Sequence, residues 1–489
     1  MTALPPIRRV AIIGAGPCGL AAAKYLLAEK YFEKIDIFEQ RGRAGGVWIH
    51  ASTEDKSTVK IPVPQPDPNQ PPEEPIWQSK ADGSREATFV SPLYSNMETN
   101  IPKTLMEYGT KPYAEDIQLF PTFQQVLEYL EEYAEEVKHL IKFEHQVLDV
   151  KLDDPSRSNW AVTVKDLHSV KASTAIYDAV VAANGHYNVP YIPAIKGIEA
   201  WNQSYPGALI HSKVYDSADD FKDKKVIVVG NSASGVDIGS QISRVCNQPL
   251  ISSHRSVSEF VPVGGSSDRV PRGEIVEFLS PTSSRRGVRF TDGTTEENID
   301  AIVFCTGYFY AYPFLSSLKT PVFTDGARAL NVYQQLFYSE HPTLVLTVLP
   351  QRVIPFPLVE NQAAVFSRVW SQRLKLPSKA EMQAWESGEI DKRGSGKGFH
   401  VIPFPLDAEY NNMLHDWAAT ANARPGLENN GTGKLGIRWG DRQRWIRSRV
   451  PDIKKSFLSQ GEGRHSIRRI EELGFQPPLD ASGHESSKL

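Results

Sequence analysis

Two glycine-rich turns carry the most specific chemistry in this chain. In the first, the apolar run Val10–Ile13 leads into Gly14, Ala15, Gly16, Pro17, Cys18 and Gly19. In the second, Val226–Val229 leads into Gly230, Asn231, Ser232, Ala233, Ser234 and Gly235. Each run reads as a buried parallel strand, and each turn opens a helical pattern. That context makes both turns dinucleotide-binding fingerprints. Glycine permits the tight turn and lets the backbone approach a pyrophosphate. The helix N-terminus then presents unpaired N–H groups and the positive end of its dipole. Two such turns imply two bound nucleotides, and a protein that holds two dinucleotides moves electrons between them.

The residues beyond each turn differ. The run Ile35–Phe38 ends in Glu39, about 20 residues past the first turn, where an acid accepts from a ribose hydroxyl. Arg43-Ala44-Gly45-Gly46-Val47-Trp48 follows, a second flexible stretch suited to a flavin pyrophosphate. After the second turn the predicted strand Pro249–Ser253 runs into His254-Arg255, with no acid at its end. An acid there repels a 2′-phosphate, whereas Arg255 pairs with one. The second nucleotide is therefore read as NADPH. Ser232 stands where the second glycine of the pattern is usual.

The elements that position these turns follow from pattern. Residues 1–50 read as strand, helix, strand and loop. Residues 51–77 are polar and proline-rich and read as an ordered excursion over the surface. A helix is predicted over 122–142. Strands are predicted at 143–151 and 160–165, in a small meander, and at 177–183, before Asn184-Gly185-His186. A second nucleotide unit occupies 194–325 and closes with the buried run Asp300–Phe304 and the turn Cys305-Thr306-Gly307-Tyr308. The chain then returns, so the fold class is α/β with two Rossmann-like domains. A flavin domain of residues 1–193 and 326–489 has an NADPH domain, 194–325, inserted in it. The tail over 370–475 reads mostly helical.

Composition bounds the partners. The chain has 489 residues, a formal net charge of −4, 40% hydrophobic and 23% charged residues, values ordinary for a globular protein. No basic block and no aromatic–basic interleaving suggests a nucleic-acid surface. Cys18, Cys246 and Cys305 form no CxxC pair and no metal-ligand spacing, which predicts no metal and a reducing compartment. Arg8-Arg9 before an apolar stretch imitates a signal peptide. The glycines of the first turn interrupt that stretch, and no other approaches the ~18 apolar residues of a membrane span. Ser487-Lys488-Leu489 at the end is a peroxisomal address, with an import receptor as its partner in a cell that has peroxisomes.

One segment narrows the family. Tyr205-Pro206-Gly207-Ala208-Leu209-Ile210-His211-Ser212-Lys213-Val214-Tyr215 resembles the identifying motif of flavin-containing monooxygenases: aromatic, glycine, histidine, aromatic. Tyr205 replaces the usual phenylalanine, and Tyr215 favours this family over the Baeyer–Villiger monooxygenases. The resemblance spans most of the chain, since the two turns, Gly45–Trp48 and Cys305–Tyr308 fall in the expected order. Ser91–Tyr94, Glu98–Pro102, Pro355–Pro357 and Trp370-Ser371 resemble the fungal, thiol-oxidising branch.

The resemblance implies FAD and NADPH as cofactors and O₂ as co-substrate. It implies oxygen transfer from a flavin C4a-hydroperoxide to a soft nucleophile: a small thiol, thioether or amine. On this reading Asn100 lies beside the flavin ring, Val47 and Trp48 lie against it, and Glu39 holds the FAD ribose. Arg255 would anchor NADP⁺, with Ser234 and Asp237 near the second turn as part of its cofactor-binding set. No acid–base pair is then required, because the flavin carries the hard chemistry. His211 and Tyr215 are equally read as packing at the domain junction, without a proton-donating role. Baeyer–Villiger and N-hydroxylating enzymes stay open as alternatives, with a non-enzymatic NADPH sensor further off. A disulfide reductase is excluded for want of a redox cysteine pair. The absence of an apolar anchor predicts a soluble enzyme, and a homodimer is the default assembly.

Overall fold

Strand β1 (Arg9–Ile13) is buried along almost its whole length, with Val10, Ala11 and Ile12 wholly inaccessible. Such two-sided burial is what a continuous apolar run demands of a parallel sheet covered on both faces. The computed structural model describes residues 4–154, 159–255, 268–282 and 285–478. The terminal Ser487–Leu489 lies outside the described residues. β1 pairs in parallel with β2 (Lys34–Phe38) on one side and with Ala179–Ala182 on the other. The full sheet has seven strands, in the order Val332–Tyr333, Phe337–Tyr338, Leu344–Leu346, Ala179–Ala182, β1, β2, Ile141–Lys142. Helix α1 (Pro17–Ala28) crosses over between β1 and β2.

A second sheet of five strands has the order Leu209–His211, Ala301–Phe304, Val226–Val229, Leu250–Ser253, Arg269–Arg272. All four pairings are parallel. Pro271 sits in the outermost strand, the one place where a missing N–H is harmless. The chain leaves the first sheet after Ala182, builds the second, and re-enters the first at Val332.

Local departures from the sequence pattern have visible causes. The predicted helix over 122–142 stops at Ala134. A short 3₁₀ turn, Lys138–Leu140, then feeds the edge strand Ile141–Lys142, which pairs with β2. The predicted strand over 177–183 is two strands. Asp178 breaks it by accepting from the backbone N–H groups of Arg8 and Arg9 and from the Arg9 guanidinium at 3.0 Å. Ala172–Tyr177 therefore belongs to a three-stranded antiparallel sheet, and Ala179–Ala182 to the parallel one. The buried parallel strand predicted up to Ser253 holds as Leu250–Ser253.

The proline-rich excursion contains a six-residue helix, α2 (Thr53–Thr58). Ser52 caps it and Asp55 reaches back to the Ser52 N–H, a reciprocal pair that satisfies two otherwise orphaned donors. Further on, Gln65 bridges to Ile192. The tail carries four helices, Lys379–Arg393, Leu406–Ala419, Asp441–Ser448 and Val450–Leu458. The long helix Pro355–Trp370, buried over nearly all its length, ties the second of them, Leu406–Ala419, to α1. Among the described residues, no helix is long and apolar enough to cross a membrane.

Candidate functional site

The two turns share one geometry. Gly14 has φ +101° and Gly230 φ +105°, a backbone region that side chains with a Cβ rarely enter. A Cβ on Gly14 would lie 2.7 Å from the Ala183 carbonyl oxygen, and one on Gly230 2.5 Å from that of Cys305. A Cβ on Gly19 would stand 1.9 Å from the Gly14 oxygen, and one on Gly235 2.0 Å from the Gly230 oxygen. Each turn is thus pressed against the end of the neighbouring parallel strand, and each helix against its own turn.

The middle position differs. A Cβ on Gly16 would press on Gly46 Cα at 3.3 Å, and one on Gly46 on Gly16 Cα at 2.8 Å. The Gly45-Gly46 stretch therefore crosses the first turn at backbone contact, clasped by the Gly45 N–H on the Ala15 carbonyl at 3.0 Å. Ser232 holds φ −80° and ψ −168°, values any residue adopts, so serine costs nothing there. Both helices start at the strand ends, where open α/β sheets bind their ligands.

Glu39 is buried at the end of β2. One carboxylate oxygen accepts from the Ala15 N–H at 2.7 Å, the other from the Arg41 N–H at 2.9 Å. The acid thus fastens the first turn and keeps further lone pairs for a ligand hydroxyl. Val47 and Trp48 occupy a short 3₁₀ turn and are half-buried. Cys18 lies in the first turn of α1 near Thr347, its thiol pushed up to about 12 by burial, with the Thr347 hydrogen bond pulling the other way. Cys305, at the second turn, is likewise pushed up to about 12 by burial. Neither thiol is poised for redox exchange.

Asn100 is exposed, and its backbone is fixed from beneath. Lys454 donates to the Thr99 carbonyl at 2.8 Å, and the Thr99 N–H donates to Pro121 at 2.9 Å. At the second nucleotide edge, Ser232 and Ser234 are exposed, and Arg255 has 82% of its side chain in solvent with Glu274 as an ion partner. Asp237 does not join them. Its carboxylate accepts from the Tyr94 hydroxyl and from Gln241, and burial raises its pKa. It fastens the helix after the second turn to the loop before Asn100.

His211 is fully buried in the junction. Its Nδ1 accepts from the Lys213 N–H at 3.1 Å, so the proton sits on Nε2, which donates to the Gly307 carbonyl at 3.1 Å. Burial lowers its pKa to about 3, outweighing the Gly307 hydrogen bond. The ring is a neutral brace between the end of the strand Leu209–His211 and the turn that follows Ala301–Phe304. Tyr215 packs edge-on to Tyr94 at 5.4 Å and donates to Gln241 at 3.1 Å.

Sequence reasoning missed the ionic hub beside this brace. Asp216 receives Lys56 at 2.8 Å, His50 at 2.7 Å, Thr53 at 2.5 Å and Ser95 at 2.9 Å. Burial alone would raise its pKa, but the hydrogen bonds from Lys56, Thr53 and His50 hold it well below the usual carboxylate range. Lys213, buried too, donates to Glu73 and to the Asn188 carbonyl. The one available signal was the Ser52…Asp55 capping pattern, which marks a helix inside the proline-rich stretch.

Between the two turns, where the chain leaves Ala179–Ala182 and Ala301–Phe304, stand Asn184, His186 and Tyr308. Asn184 Oδ1, His186 Nε2 and the Tyr308 hydroxyl are buried and without a hydrogen-bond partner. Burial holds His186 neutral, with its pKa lowered to about 4. Unsatisfied polar atoms gathered at the ends of both sheets fit a site that takes polar ligand groups. Glycine cradles that a Cβ would fill, a buried acid behind the first turn and an exposed cation behind the second fit two dinucleotides.

Comparison with known proteins agrees. The chain matches the family described as "Flavin-binding monooxygenase-like" over residues 76–262 and 272–429. Residues 12–64 match "NAD(P)-binding Rossmann-like domain". It is 33% identical over 426 residues to flavin-containing monooxygenase FMO GS-OX-like 2 of Arabidopsis thaliana, covering 84% of each chain. It is 30% identical over 422 residues to the thiol-specific monooxygenase of Saccharomyces cerevisiae, covering 82% of this chain and 83% of that one. Among solved structures, the S-allyl-L-cysteine S-oxygenase of Allium sativum superposes with a TM-score of 0.72 at 27% identity, over 96% of this chain and 97% of the other.

Proposed function

Since this chain belongs to the flavin-containing monooxygenases and works with FAD, NADPH and O₂, we propose that it oxygenates the sulfur of a small thiol or thioether. The observation that carries the two-nucleotide chemistry is the duplicated turn, Gly14 and Gly19 matched by Gly230 and Gly235. Sulfur rests on the thiol-specific and S-oxygenase relatives. Bound FAD supplies hydride acceptance and oxygen activation. The protein's own part is to seat, orient and keep dry.

On this reading residues 1–193 and 326–489 form the flavin domain, and 194–325 the NADPH domain nested within it. Gly14, Ala15, Gly16, Pro17, Cys18 and Gly19 form the cradle of the FAD pyrophosphate: the N–H groups of Gly14 and Ala15 are spent on Phe38 and Glu39, Pro17 has none, and the remaining N–H groups at the start of α1 face the ligand. Glu39 takes the ribose, while Gly46, Val47 and Trp48 flank the flavin. Asn100 offers its amide at the reactive edge. Gly230, Ser232, Ser234 and Gly235 hold the second pyrophosphate, and Arg255 the 2′-phosphate. No side chain needs to shuttle a proton in this scheme, in keeping with His211 being neutral and enclosed. We also assign the enzyme to peroxisomes through Ser487-Lys488-Leu489. Loss of a tagged protein's punctate distribution on deleting that tripeptide is the expected result, and unchanged distribution would overturn it.

The function is tested by NADPH consumption with a thiol, a thioether and a tertiary amine in turn, scoring oxygenated product against hydrogen peroxide. Product matching NADPH with the sulfur compounds supports the proposal. Stoichiometric peroxide with all three overturns it, and product from the amine alone moves the chemistry to nitrogen.

A further inference from the structure

We propose that Tyr94 and Asp237 form a positioning link through which NADP(H), seated on the second turn, steadies the stretch that carries Asn100. The inference rests on the nucleotide and Asn100 assignments just made and adds to them the two residues that connect those sites.

The stretch from Tyr94 to Asn100 crosses between two cores. Tyr94 is buried in the core of the second sheet with Val226, Val228 and Ile238, and Met97 packs against the same cluster. Ile101, directly after Asn100, packs instead against the core that holds Val10 and Ile12 of β1. Asn100 therefore stands where the chain passes from one packed unit to the other. Its far side is held by the tail: Lys454 donates to the Thr99 carbonyl at 2.8 Å, and Arg464 pairs with Glu98 at 3.1 Å. The backbone between is pinned at short intervals. The Met97 N–H donates to the Tyr94 carbonyl at 3.0 Å, the Phe123 N–H to the Met97 carbonyl at 3.3 Å, and the Thr99 N–H to the Pro121 carbonyl at 2.9 Å. A displacement of Tyr94 is thus passed along the strap to Asn100.

The near side of the strap is held by the helix that the second turn opens. Asp237 follows Gly235 on the helix Ala233–Ile242, whose start is pressed on the turn: a Cβ on Gly235 would lie 2.0 Å from the Gly230 carbonyl oxygen. The Asp237 carboxylate accepts from the Tyr94 hydroxyl and, at 3.3 Å, from the Gln241 amide one helical turn on. Gln241 in turn accepts from the Tyr215 hydroxyl at 3.1 Å, and the Tyr215 ring meets the Tyr94 ring edge-on at 5.4 Å. Tyr94 is so gripped at its hydroxyl and at its ring. A phenol that donates to a carboxylate makes a charge-assisted bond, stronger and more directional than apolar packing. It fixes one register of the strap against the helix. A second carboxylate acts at the next residue, where the Ser95 hydroxyl donates to Asp216 at 2.9 Å. A nucleotide bound at the start of this helix restrains it, and the Tyr94–Asp237 bond extends the restraint to Asn100.

The test is hydrogen–deuterium exchange of the FAD-loaded protein with and without NADP⁺, in the unmodified chain, Tyr94→Phe and Asp237→Asn. In the unmodified chain NADP⁺ is expected to slow exchange over residues 230–242 and over 94–102, the latter by about fivefold or more, the lower range of coupling between sites. Tyr94→Phe is expected to abolish the effect over 94–102 and to keep it over 230–242. Asp237→Asn leaves an acceptor oxygen for the Tyr94 hydroxyl and is expected to retain most of the protection. With a thioether present, peroxide released per NADPH should rise in Tyr94→Phe and stay low in Asp237→Asn; no rise in Tyr94→Phe overturns the link to Asn100. A merely structural bond would loosen 94–102 equally with and without NADP⁺, and that result overturns the proposal, as does full protection in Tyr94→Phe. Protection of 230–242 without 94–102 in the unmodified chain also overturns it and leaves the nucleotide assignment standing. Protection of neither segment takes down the assignment of the second turn and the proposal together.

Discussion

At the scale of single residues, space and protonation decide roles. Gly46 cannot carry a side chain, because its Cβ would sit 2.8 Å from Gly16 Cα. Gly46→Ala is expected to fold with reduced flavin content, measured as the ratio of flavin to protein absorbance after purification. Full flavin content would show that the crossing does not matter to the cofactor. Asn100→Ala leaves the backbone supports from Lys454 and Pro121 intact, so the chain should keep both nucleotides. Its expected phenotype is a shift of NADPH consumption from product to peroxide, by roughly tenfold or more for a lost amide contact to the reactive edge. Unchanged product yield would remove Asn100 from the site. His211 carries its lowered pKa, about 3, because burial penalises the cation. The unfolded chain binds that proton near pH 6.5 and the folded chain does not. Stability therefore falls as pH drops from about 6.5 towards 3. In contrast, the pH profile of turnover should show no limb belonging to this histidine near neutrality.

At the scale of elements, buried ion pairs fasten the pieces that carry the site. Glu29, next to the end of α1, takes Arg373 at 2.6 Å and 2.8 Å and Ser371 at 2.7 Å, all buried. Arg368 and Arg424 stand at 4.0 Å. Burial alone would raise the Glu29 pKa, but its bonds to Arg373 and Ser371 pull it below the ordinary value. Arg373→Leu strands that carboxylate, a loss of about 3–5 kcal/mol for a buried pair cut on one side. Chemical denaturation measures it, and a loss below about 1 kcal/mol, the range of exposed pairs, would contradict the assignment. The Asp216 hub joins α2, the loop around Ser95 and the segment after His211 in the same way. Asp216 is depressed in the folded state, so its contribution is present at neutral pH and is lost only as pH falls below about 4. Neither hub was legible in the sequence. Their partners are far apart along the chain, and no spacing rule links Glu29 to Arg373 or Lys56 to Asp216. What was legible had a local cause: glycine where φ must be positive, apolar runs where strands are buried on both faces, and an acid at the end of β2. The helix predicted to continue to 142 failed for a non-local cause, because Ile141 finds a partner strand in β2 that helical periodicity could not reveal.

At the scale of the whole molecule, the parallel strands of two sheets each lead into a glycine turn; the linkers between the sheets carry Asn184, His186 and Tyr308, and His211 ends the strand Leu209–His211. On the proposed reading this arrangement sets two nucleotides across a common junction. One of the tail's helices, Val450–Leu458, braces the Asn100 loop through Lys454, which holds the Thr99 carbonyl. The central claim is that electrons from NADPH and one atom of O₂ end in the same turnover on a sulfur substrate. Mass analysis of the product formed from a thioether under isotopically labelled O₂, with NADPH consumption followed in parallel, tests this most directly. The account predicts one labelled oxygen in the product for each NADPH oxidised. Unlabelled product, or NADPH oxidation matched entirely by hydrogen peroxide, would contradict it.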